Sequence, residues 1–101
     1  MGKTITKKQF VEYVAGFTSK EPLEIQPVVQ AVFDAIGEVL VDGNRLEIRN
    51  FGVFSVKIRQ KRVGRDPNHP EVKIDIPASA VPVFKPGKLM KQRVKEKVKT
   101  D

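Results

Sequence analysis

Lysine and arginine side chains at short intervals are the residues of this sequence whose type and spacing suggest chemistry. The segment Lys57–Arg62 (KIRQKR) contains four cations, and Arg65 and Lys73 follow a little further along the chain. Guanidinium and ammonium groups bind phosphate oxygens, and Arg also suits the edges of a nucleic-acid groove. The spacing predicts binding of a polyanion along an extended segment.

These cations lie in a stretch, Phe54–Pro82, that reads as two extended runs joined by a turn. Gly64, Pro67 and Pro70 mark the turn. The second run, Val72–Pro77, alternates apolar and polar residues with the period of a strand. An Arg-rich hairpin with so little apolar bulk has no core of its own, so it needs a surface to lie against.

The positive charge is concentrated in the second half of the chain. Residues 1–50 hold six Lys/Arg and seven Asp/Glu, whereas residues 51–101 hold 13 Lys/Arg and five Asp/Glu, within a net charge of +7. Residues 21–42 contain five acids and no Lys or Arg. This asymmetry indicates a polyanion partner for the second half.

The length of 101 residues predicts one domain, residues 1–101, from which a hairpin arm at about residues 58–76 emerges. Without the whole stretch Phe54–Pro82, a body of about 70 residues remains, which is marginal as an isolated fold. With no Cys and one His, neither a disulfide nor a metal can staple it, so oligomerisation is expected. No apolar run approaches the roughly 18 residues that would span a bilayer.

Two helices are predicted before the hairpin. Thr6 and Gln9 form the pattern of a capping box, and the first helix should end near Ser19. The second helix has a continuous apolar stripe and stops at Gly43. Its start is open: Pro22 suits a first turn, but Pro27 then requires either an effective start near Glu24 or a kink.

Strands and a third helix follow. Residues 45–49 and 53–58 alternate as strands about a turn or bulge at Asn50–Gly52, where Asn50 and Gly52 both tolerate positive φ. Residues 81–84 return to the body. A last helix is expected from about Lys88 to Lys99, with Met90, Val94 and Val98 as a thin apolar seam. The fold class is therefore α+β.

Catalysis finds little support in the sequence. There is no nucleophile-elbow serine, no glycine-rich phosphate loop and no cluster of metal ligands, so no enzyme activity, metal or cofactor is expected. Asp34 and Glu38 are one helical turn apart on an acidic face, and His69 reads as a loop residue. The phenylalanines expected to pack in a core are Phe51, Phe54 and Phe84.

Four short motifs occur in one order and spacing: Asn50–Phe54 (NFGVF), Gly64–Pro67 (GRDP), Ile76–Ser79 (IPAS) and Val81–Lys88 (VPVFKPGK). Together with the order of helices and strands, they resemble the HU/integration-host-factor family of bacterial DNA-bending proteins. The resemblance covers roughly residues 7 to 95.

The resemblance implies an intertwined dimer of α+β chains. Two N-terminal helices, a three-stranded antiparallel sheet with a long hairpin arm and a C-terminal helix make up each chain, and the two arms enter the minor groove of a DNA duplex. Pro67 falls at the position of the family's intercalating wedge. With Lys61 and Lys73 of the hairpin added to the family's cation positions, the predicted DNA-binding residues are Lys57, Arg59, Lys61, Arg62, Arg65, Pro67, Lys73, Lys85, Lys88 and Lys91.

Three positions depart from the family pattern. Asp66 stands where Asn usually precedes the wedge proline, and its carboxylate is expected to repel phosphates and weaken or redirect that contact. The return strand is one residue longer, within Asn68–Glu71, which alters the tip. Pro27 interrupts a helix that the family normally leaves unbroken.

The sequence thus predicts an architectural, nucleoid-associated cytoplasmic protein that bends and compacts double-stranded DNA with low sequence specificity. Two alternatives stay open: a site-specific bender of the integration-host-factor type, and an RNA-binding or purely structural oligomer. The partner chain is expected to be an identical copy, and a paralogue is the alternative. Neither a membrane nor a small-molecule substrate is expected as a partner.

Overall fold

A computed structural model describes residues 2–98 of the chain. The described chain divides into two compact units, bounded as Met1–Glu38 and Val39–Asp101. The elements in chain order are α1 (Lys7–Thr18), α2 (Pro22–Val41), β1 (Leu46–Ile48), β2 (Gly52–Arg59), β3 (Arg62–Arg65), β4 (Lys73–Ile76), β5 (Ser79–Pro86) and α3 (Lys88–Lys97).

The first unit contains α1 and most of α2. Thr6 caps α1 as predicted: its hydroxyl accepts from the Gln9 backbone N–H at 3.3 Å, and the Gln9 side chain accepts from the Thr6 backbone N–H at 3.0 Å. At the other end, Ser19 adopts a left-handed conformation with φ 57°. The small core of this unit consists of Val11, Ala15, Ile25 and Val29, with Val14 packed against it.

The second helix begins before Glu24, which was one of the two predicted alternatives for its start. It starts at Pro22, and the backbone N–H groups of Glu24 and Ile25 donate to the carbonyl of Glu21 at 3.0 and 3.2 Å. Pro22 thus occupies a first-turn position that needs no N–H, so the predicted start near Glu24 is wrong. Pro27 lies within the helix on an exposed position. A bend at Pro27 stays a prediction.

Gly43 ends α2 as predicted. It has φ 79°, and its N–H donates to the Leu40 carbonyl at 2.9 Å, while the Asn44 N–H donates to the Val39 carbonyl at 3.0 Å. These two bonds are those of a Schellman motif, which requires a residue that tolerates positive φ.

The second unit is built on a three-stranded antiparallel sheet in the order β1-β2-β5. A three-residue loop joins β1 to β2, with Asn50 at φ 65° and the Phe51 N–H bonded to the Ile48 carbonyl at 3.0 Å. The longer ladder pairs β2 with β5 from Gly52↔Pro86 to Arg59↔Ser79. The predicted antiparallel sheet is confirmed.

The hairpin arm is a second, two-stranded sheet of β3 and β4. The first predicted run, which carries Lys57, Arg59, Lys61 and Arg62, is divided between two strands, β2 and β3. Both runs lose their strand pairing at the same level, at residues 60–61 on one side and 77–78 on the other. Pro77 lacks a donor for the ladder, which explains the break on its side. We call the segment Arg62–Ile76 the arm.

The last helix, α3, runs from Lys88 to Lys97, and Val98 follows it in an extended conformation. The expected seam therefore keeps Met90 and Val94 in the helix but not Val98. Lys99, at the predicted end, lies outside the described residues. Over residues 2–98, no helix combines the length and the apolar character needed to cross a membrane.

Candidate nucleic-acid interface

The register of β2 and β5 sorts side chains onto two faces of the three-stranded sheet. Residues that pair directly in an antiparallel ladder share a face, and successive residues alternate between faces. The pairs Lys57↔Val81, Arg59↔Ser79 and Val53↔Lys85 therefore lie on one face. We call it the basic face. The strand pairing thus brings three of the predicted DNA-binding cations, Lys57, Arg59 and Lys85, onto one surface.

The opposite face of this sheet is apolar. Phe54 pairs with Phe84 on β5 and with Leu46 on β1, and Val56 and Ile58 continue the row along β2. We call it the aromatic face. The rings of Phe54 and Phe84 lie 4.8 Å apart between centroids, and Phe51 lies 5.5 Å from Phe84 and 6.4 Å from Phe54. These phenylalanines pack on one another, but Phe51 and Phe84 are 40% and 41% exposed, so the predicted core is not closed within the single chain.

Gly52 allows the strands to approach each other beneath this cluster. A Cβ at Gly52 would lie 2.6 Å from the Lys85 carbonyl oxygen and 2.6 Å from Cε1 of Phe84. The sequence reading assigned Gly52 to a turn that tolerates positive φ. Instead it begins β2, is buried, and is not among the residues with positive φ. Its lack of a side chain permits the close approach next to the pair Val53↔Lys85.

The arm carries its cations on both faces. Arg62 pairs with Ile76, and the neighbouring pair on that face is Gly64↔Ile74. On the other face Arg65 pairs directly with Lys73. Two like charges opposite each other in a ladder destabilise a free hairpin, and a bound polyanion would relieve that repulsion.

Lys61 lies in the break between β2 and β3, so it has no ladder partner. Its side chain is exposed, as are those of Arg59 and Arg62 on either side. Lys61 is therefore not assigned by strand register to either face.

Two successive turns form the tip of the arm. In the first, the His69 N–H donates to the Asp66 carbonyl at 3.1 Å, and in the second the Val72 N–H donates to the His69 carbonyl at 2.9 Å. Each turn has a proline at its second position, Pro67 in the first turn and Pro70 in the second. Proline is favoured at this position because its ring fixes φ near the value that the turn requires. This pair of turns accommodates the additional residue noted in the sequence, and it leaves Pro67 exposed.

Asp66 has a role in the tip that sequence reasoning missed. Its Oδ1 accepts the backbone N–H of Asn68 at 2.9 Å across the intervening Pro67. This is the Asx-type bond that Asp and Asn make two residues ahead in turns. The pattern Asp-Pro-Asn was the available signal. Arg65 also contributes, because its Nη1 donates to the Pro70 carbonyl at 3.3 Å.

The C-terminal lysines lie on a separate element. Lys88 and Lys91, spaced three apart, share a side of α3 and are exposed. The helix starts at its N-cap Gly87, whose N–H donates to the Phe51 carbonyl at 2.9 Å. A Cβ on Gly87 would lie 3.4 Å from that carbonyl, so the start of α3 is held close to the β1–β2 loop.

The Lys and Arg side chains of residues 39–98 have no acidic partner within ion-pair distance among the residues that the structure describes. Within residues 2–98 the one contact of this kind is between Nδ1 of His69 and Oε1 of Glu71 at the tip, at 3.8 Å. None of the predicted DNA-binding Lys and Arg residues takes part in it. The same residues contain no group of three or more side chains suited to holding a metal ion. The positive charge is therefore free to attract an external anion.

Comparison with known proteins agrees with this arrangement. The DNA-binding protein HU of Thermus thermophilus is 38% identical over 94 residues, covering 93% of this chain and 96% of that protein. Integration host factor subunit beta of Histophilus somni is 41% identical over 91 residues, covering 89% and 96%. The Anabaena HU–DNA cocrystal structure matches with a TM-score of 0.79 and 34% identity, covering 88% of this chain and 96% of that one.

A family model spans most of the sequence as well. The model for bacterial DNA-binding proteins matches residues 5–95, which include α1, every strand and most of α3. The resemblance drawn from the four short motifs is thereby confirmed. The chain belongs to the bacterial DNA-binding protein family, together with HU and integration host factor.

Proposed function

We propose that this chain acts as a dimer that binds and bends double-stranded DNA with low sequence specificity. The observation that carries the proposal is the sorting of Lys57, Arg59 and Lys85 onto one face of a sheet whose other face is aromatic. Cations that share one surface attract phosphates whatever the base sequence. Such a protein has an architectural role that needs no catalytic site.

The residues divide into two groups by the contact that we assign to them. The basic face and α3 hold the duplex through its phosphates, and the arm enters the minor groove with Arg and Lys. The proposed phosphate contacts are Lys57, Arg59, Lys61, Lys85, Lys88 and Lys91, and the proposed groove contacts are Arg62, Arg65, Lys73 and Pro67.

Pro67 is the proposed wedge. It is exposed at the tip, where its ring can enter between base pairs. Insertion of an apolar side chain between base steps is how minor-groove architectural proteins, this family included, kink the duplex. The cost of unstacking, a few kcal/mol per step, is offset by the additional protein surface that the bent DNA contacts.

The test of this function measures bending and salt dependence together. Energy transfer between dyes at the two ends of a random duplex should increase when the protein is added. If a dimer neutralises on the order of 6–10 phosphates, the log–log slope of affinity against salt should be about −5 to −9. A slope shallower than about −2 would exclude the basic face as the contact surface.

Exposed apolar residues on each unit support the dimer. In the single chain Phe17 is 91% exposed and Leu23 84% exposed, and Ile58 and Val94 are more than half exposed. Large apolar side chains left exposed in this number mark surfaces that another chain covers. Sedimentation at micromolar concentration should detect a dimer, and a folded monomer there would contradict the proposal. A paralogue as partner would show as weaker self-association of the pure chain.

A site-specific role like that of integration host factor is the second candidate, because an HU protein and an integration host factor subunit match this chain at similar identity, 38% and 41%. Competition between a random duplex and a library of defined duplexes separates the two, since a site-specific bender prefers particular deformable steps. RNA binding is tested by the same competition with duplex RNA, whose A-form grooves differ in width and depth. We place the protein at the bacterial nucleoid, where its proposed partner lies, with residues 1–101 acting as one DNA-binding domain.

A further inference from the structure

The carboxylate of Asp66 is held at a defined place on the tip. Its Oδ1 accepts the Asn68 N–H at 2.9 Å, and its backbone N–H and carbonyl bond to Val72 and His69 at 3.5 and 3.1 Å. The residue is only partly exposed. Its position beside Pro67 is therefore fixed by three bonds to the tip.

The second carboxylate oxygen is available for another donor. Among the described residues 2–98, no hydrogen bond or ion pair is made to Oδ2 of Asp66. The nearby charged groups are already engaged: Arg65 donates to the Pro70 carbonyl, and His69 faces Glu71. An ionised carboxylate is an acceptor only, so Oδ2 can be satisfied by a donor on the ligand but not by another acceptor.

The minor groove offers such a donor at one kind of base pair. A·T and T·A pairs present only the acceptors N3 of adenine and O2 of thymine, whereas a G·C pair adds the N2 amino group of guanine. A carboxylate facing A·T is left unpaired and repelled, and beside G·C it gains a charge-assisted hydrogen bond.

We propose that Asp66 is a specificity-determining residue that directs the kink to steps flanked by a G·C pair. Its Oδ2 would accept a hydrogen bond from the N2 amino group of guanine. This rests on the proposed function, in which Pro67 opens a base step from the minor groove. Asp66 precedes Pro67 directly, and in the proposed arrangement its carboxylate would lie beside the pair that flanks the opened step. The preference would be local to that pair, so binding elsewhere along the duplex stays non-specific.

An amide at this position would have the opposite preference. Asn makes the same Asx-type bond through its side-chain oxygen, which leaves its NH2 group as a donor. That donor matches N3 of adenine and O2 of thymine. Asp66→Asn therefore keeps the tip conformation, exchanges an acceptor for a donor and removes one negative charge beside the groove.

Base analogues change the N2 amino group without exchanging the bases, and comparison with Asp66→Asn separates the contact from the accompanying change in pair stability and groove width. Short duplexes with one nick fix the position of the kink, because a nicked step is already easier to unstack. The pair beside the nick is G·C, inosine·C, A·T or 2,6-diaminopurine·T. Inosine lacks the N2 amino group of guanine, and diaminopurine adds that group to adenine, while each keeps the rest of its pair.

For the unaltered protein we expect G·C and diaminopurine·T to bind about tenfold more tightly than inosine·C and A·T, as one charge-assisted hydrogen bond allows. For Asp66→Asn we expect this order to be lost or reversed. Equal affinity of the unaltered protein for G·C and inosine·C, with bending retained, overturns the assignment of Asp66 but leaves the proposed function intact. Absence of bending on all four duplexes overturns the proposed function, and the assignment with it.

Discussion

The three-stranded sheet and the arm are both antiparallel and both basic, but they use their cations differently. In the sheet, Lys57, Arg59 and Lys85 share one face, and the other face is filled by packed aromatic rings. In the arm, Arg62 lies on one face and Arg65 and Lys73 on the other. The sheet is a surface with a packed side and a charged side, whereas the arm has no side that packs.

This difference indicates that the sheet is already formed in the free protein, whereas the arm needs a ligand to complete its structure. The sheet has eight paired positions between β2 and β5 and a buried glycine at its start. The arm has four paired positions, a cross-strand pair of cations and no buried residue. We infer that the sheet binds as a preformed surface and that the arm becomes ordered against DNA.

The largest effect should come from removing the cations of the basic face. Lys57→Ala with Arg59→Ala should weaken DNA binding by about two orders of magnitude and make the salt slope shallower by about 2 per chain. Titration at several salt concentrations measures both. The matched control is Lys8→Ala with Lys20→Ala, which removes the same charge from the first unit. Equal losses of DNA affinity in the two double variants would show that binding depends on the net charge of the protein and not on the basic face.

Glycine-to-alanine substitutions compare the packing of the two sheets. Gly52→Ala brings a Cβ to 2.6 Å from the backbone oxygen of Lys85, which cannot move freely, so it should lower the free energy of unfolding by about 1–3 kcal/mol. At Gly64 the Cβ would lie 2.8 Å from Cδ1 of Ile76, which is the mobile end of a side chain. Gly64→Ala should therefore lower the free energy of unfolding by less than Gly52→Ala does.

Thermal denaturation provides the measurement for both glycine variants. Gly37→Ala in α2 is the control, since nothing lies within 4 Å of its Cβ and alanine favours a helix interior. It should leave stability unchanged or raise it by up to about 1 kcal/mol. If Gly64→Ala destabilised as much as Gly52→Ala, the arm would be as closely packed as the sheet.

Limited proteolysis sharpens the same comparison. Trypsin should cut after Arg65 and Lys73 about tenfold faster than after Lys57 and Arg59, because the arm opens at low free-energy cost. Mass spectrometry of early fragments identifies the sites. A saturating duplex should slow the cuts in the arm most. Arm cleavage at an unchanged rate in the complex would contradict its proposed place in the groove.

The smallest effect on affinity should come from Pro67→Ala. Phosphate contacts do not depend on the wedge, so the dissociation constant should change by less than about threefold, whereas the bend angle should fall. Pro70→Ala is the control, because Pro70 holds the same position in the second turn of the tip. Energy transfer across the duplex compares the two, and an unchanged angle for Pro67→Ala would remove the wedge assignment.

Much of the fold could be predicted from local pattern. Thr6 with Gln9 indicated the start of α1, and Gly43 the end of α2, because caps depend on residues near in sequence. The alternation around residues 45–58 and the four family motifs indicated the antiparallel sheet and its arm. The start of α2 could not be decided, since Pro22 and Pro27 each satisfy local rules and only the observed bonds to Glu21 select between them.

The candidate site was predicted in part. The cations were evident from composition, but the face on which each lies depends on register, and a shift of one residue would reverse every assignment. The role of Gly52 was interpreted wrongly. A glycine is required there because the carbonyl of Lys85, distant in sequence, lies too close for a Cβ, and not because of the φ of Gly52 itself. The bond from Asp66 to Asn68 was missed, although Asp before Pro is a recognised turn signal.

The sequence by itself determined the family, the order of helices and strands, and the excess of positive charge in the second half, since each follows from residue type and local spacing. Only the tertiary structure decided that Lys57 and Arg59 share a face with Lys85, and that Arg65 opposes Lys73. Which side chains become neighbours across strands depends on how distant segments pair. That pairing brings the rings of Phe54 and Phe84 into contact and requires the close approach at Gly52, and no single segment specifies either.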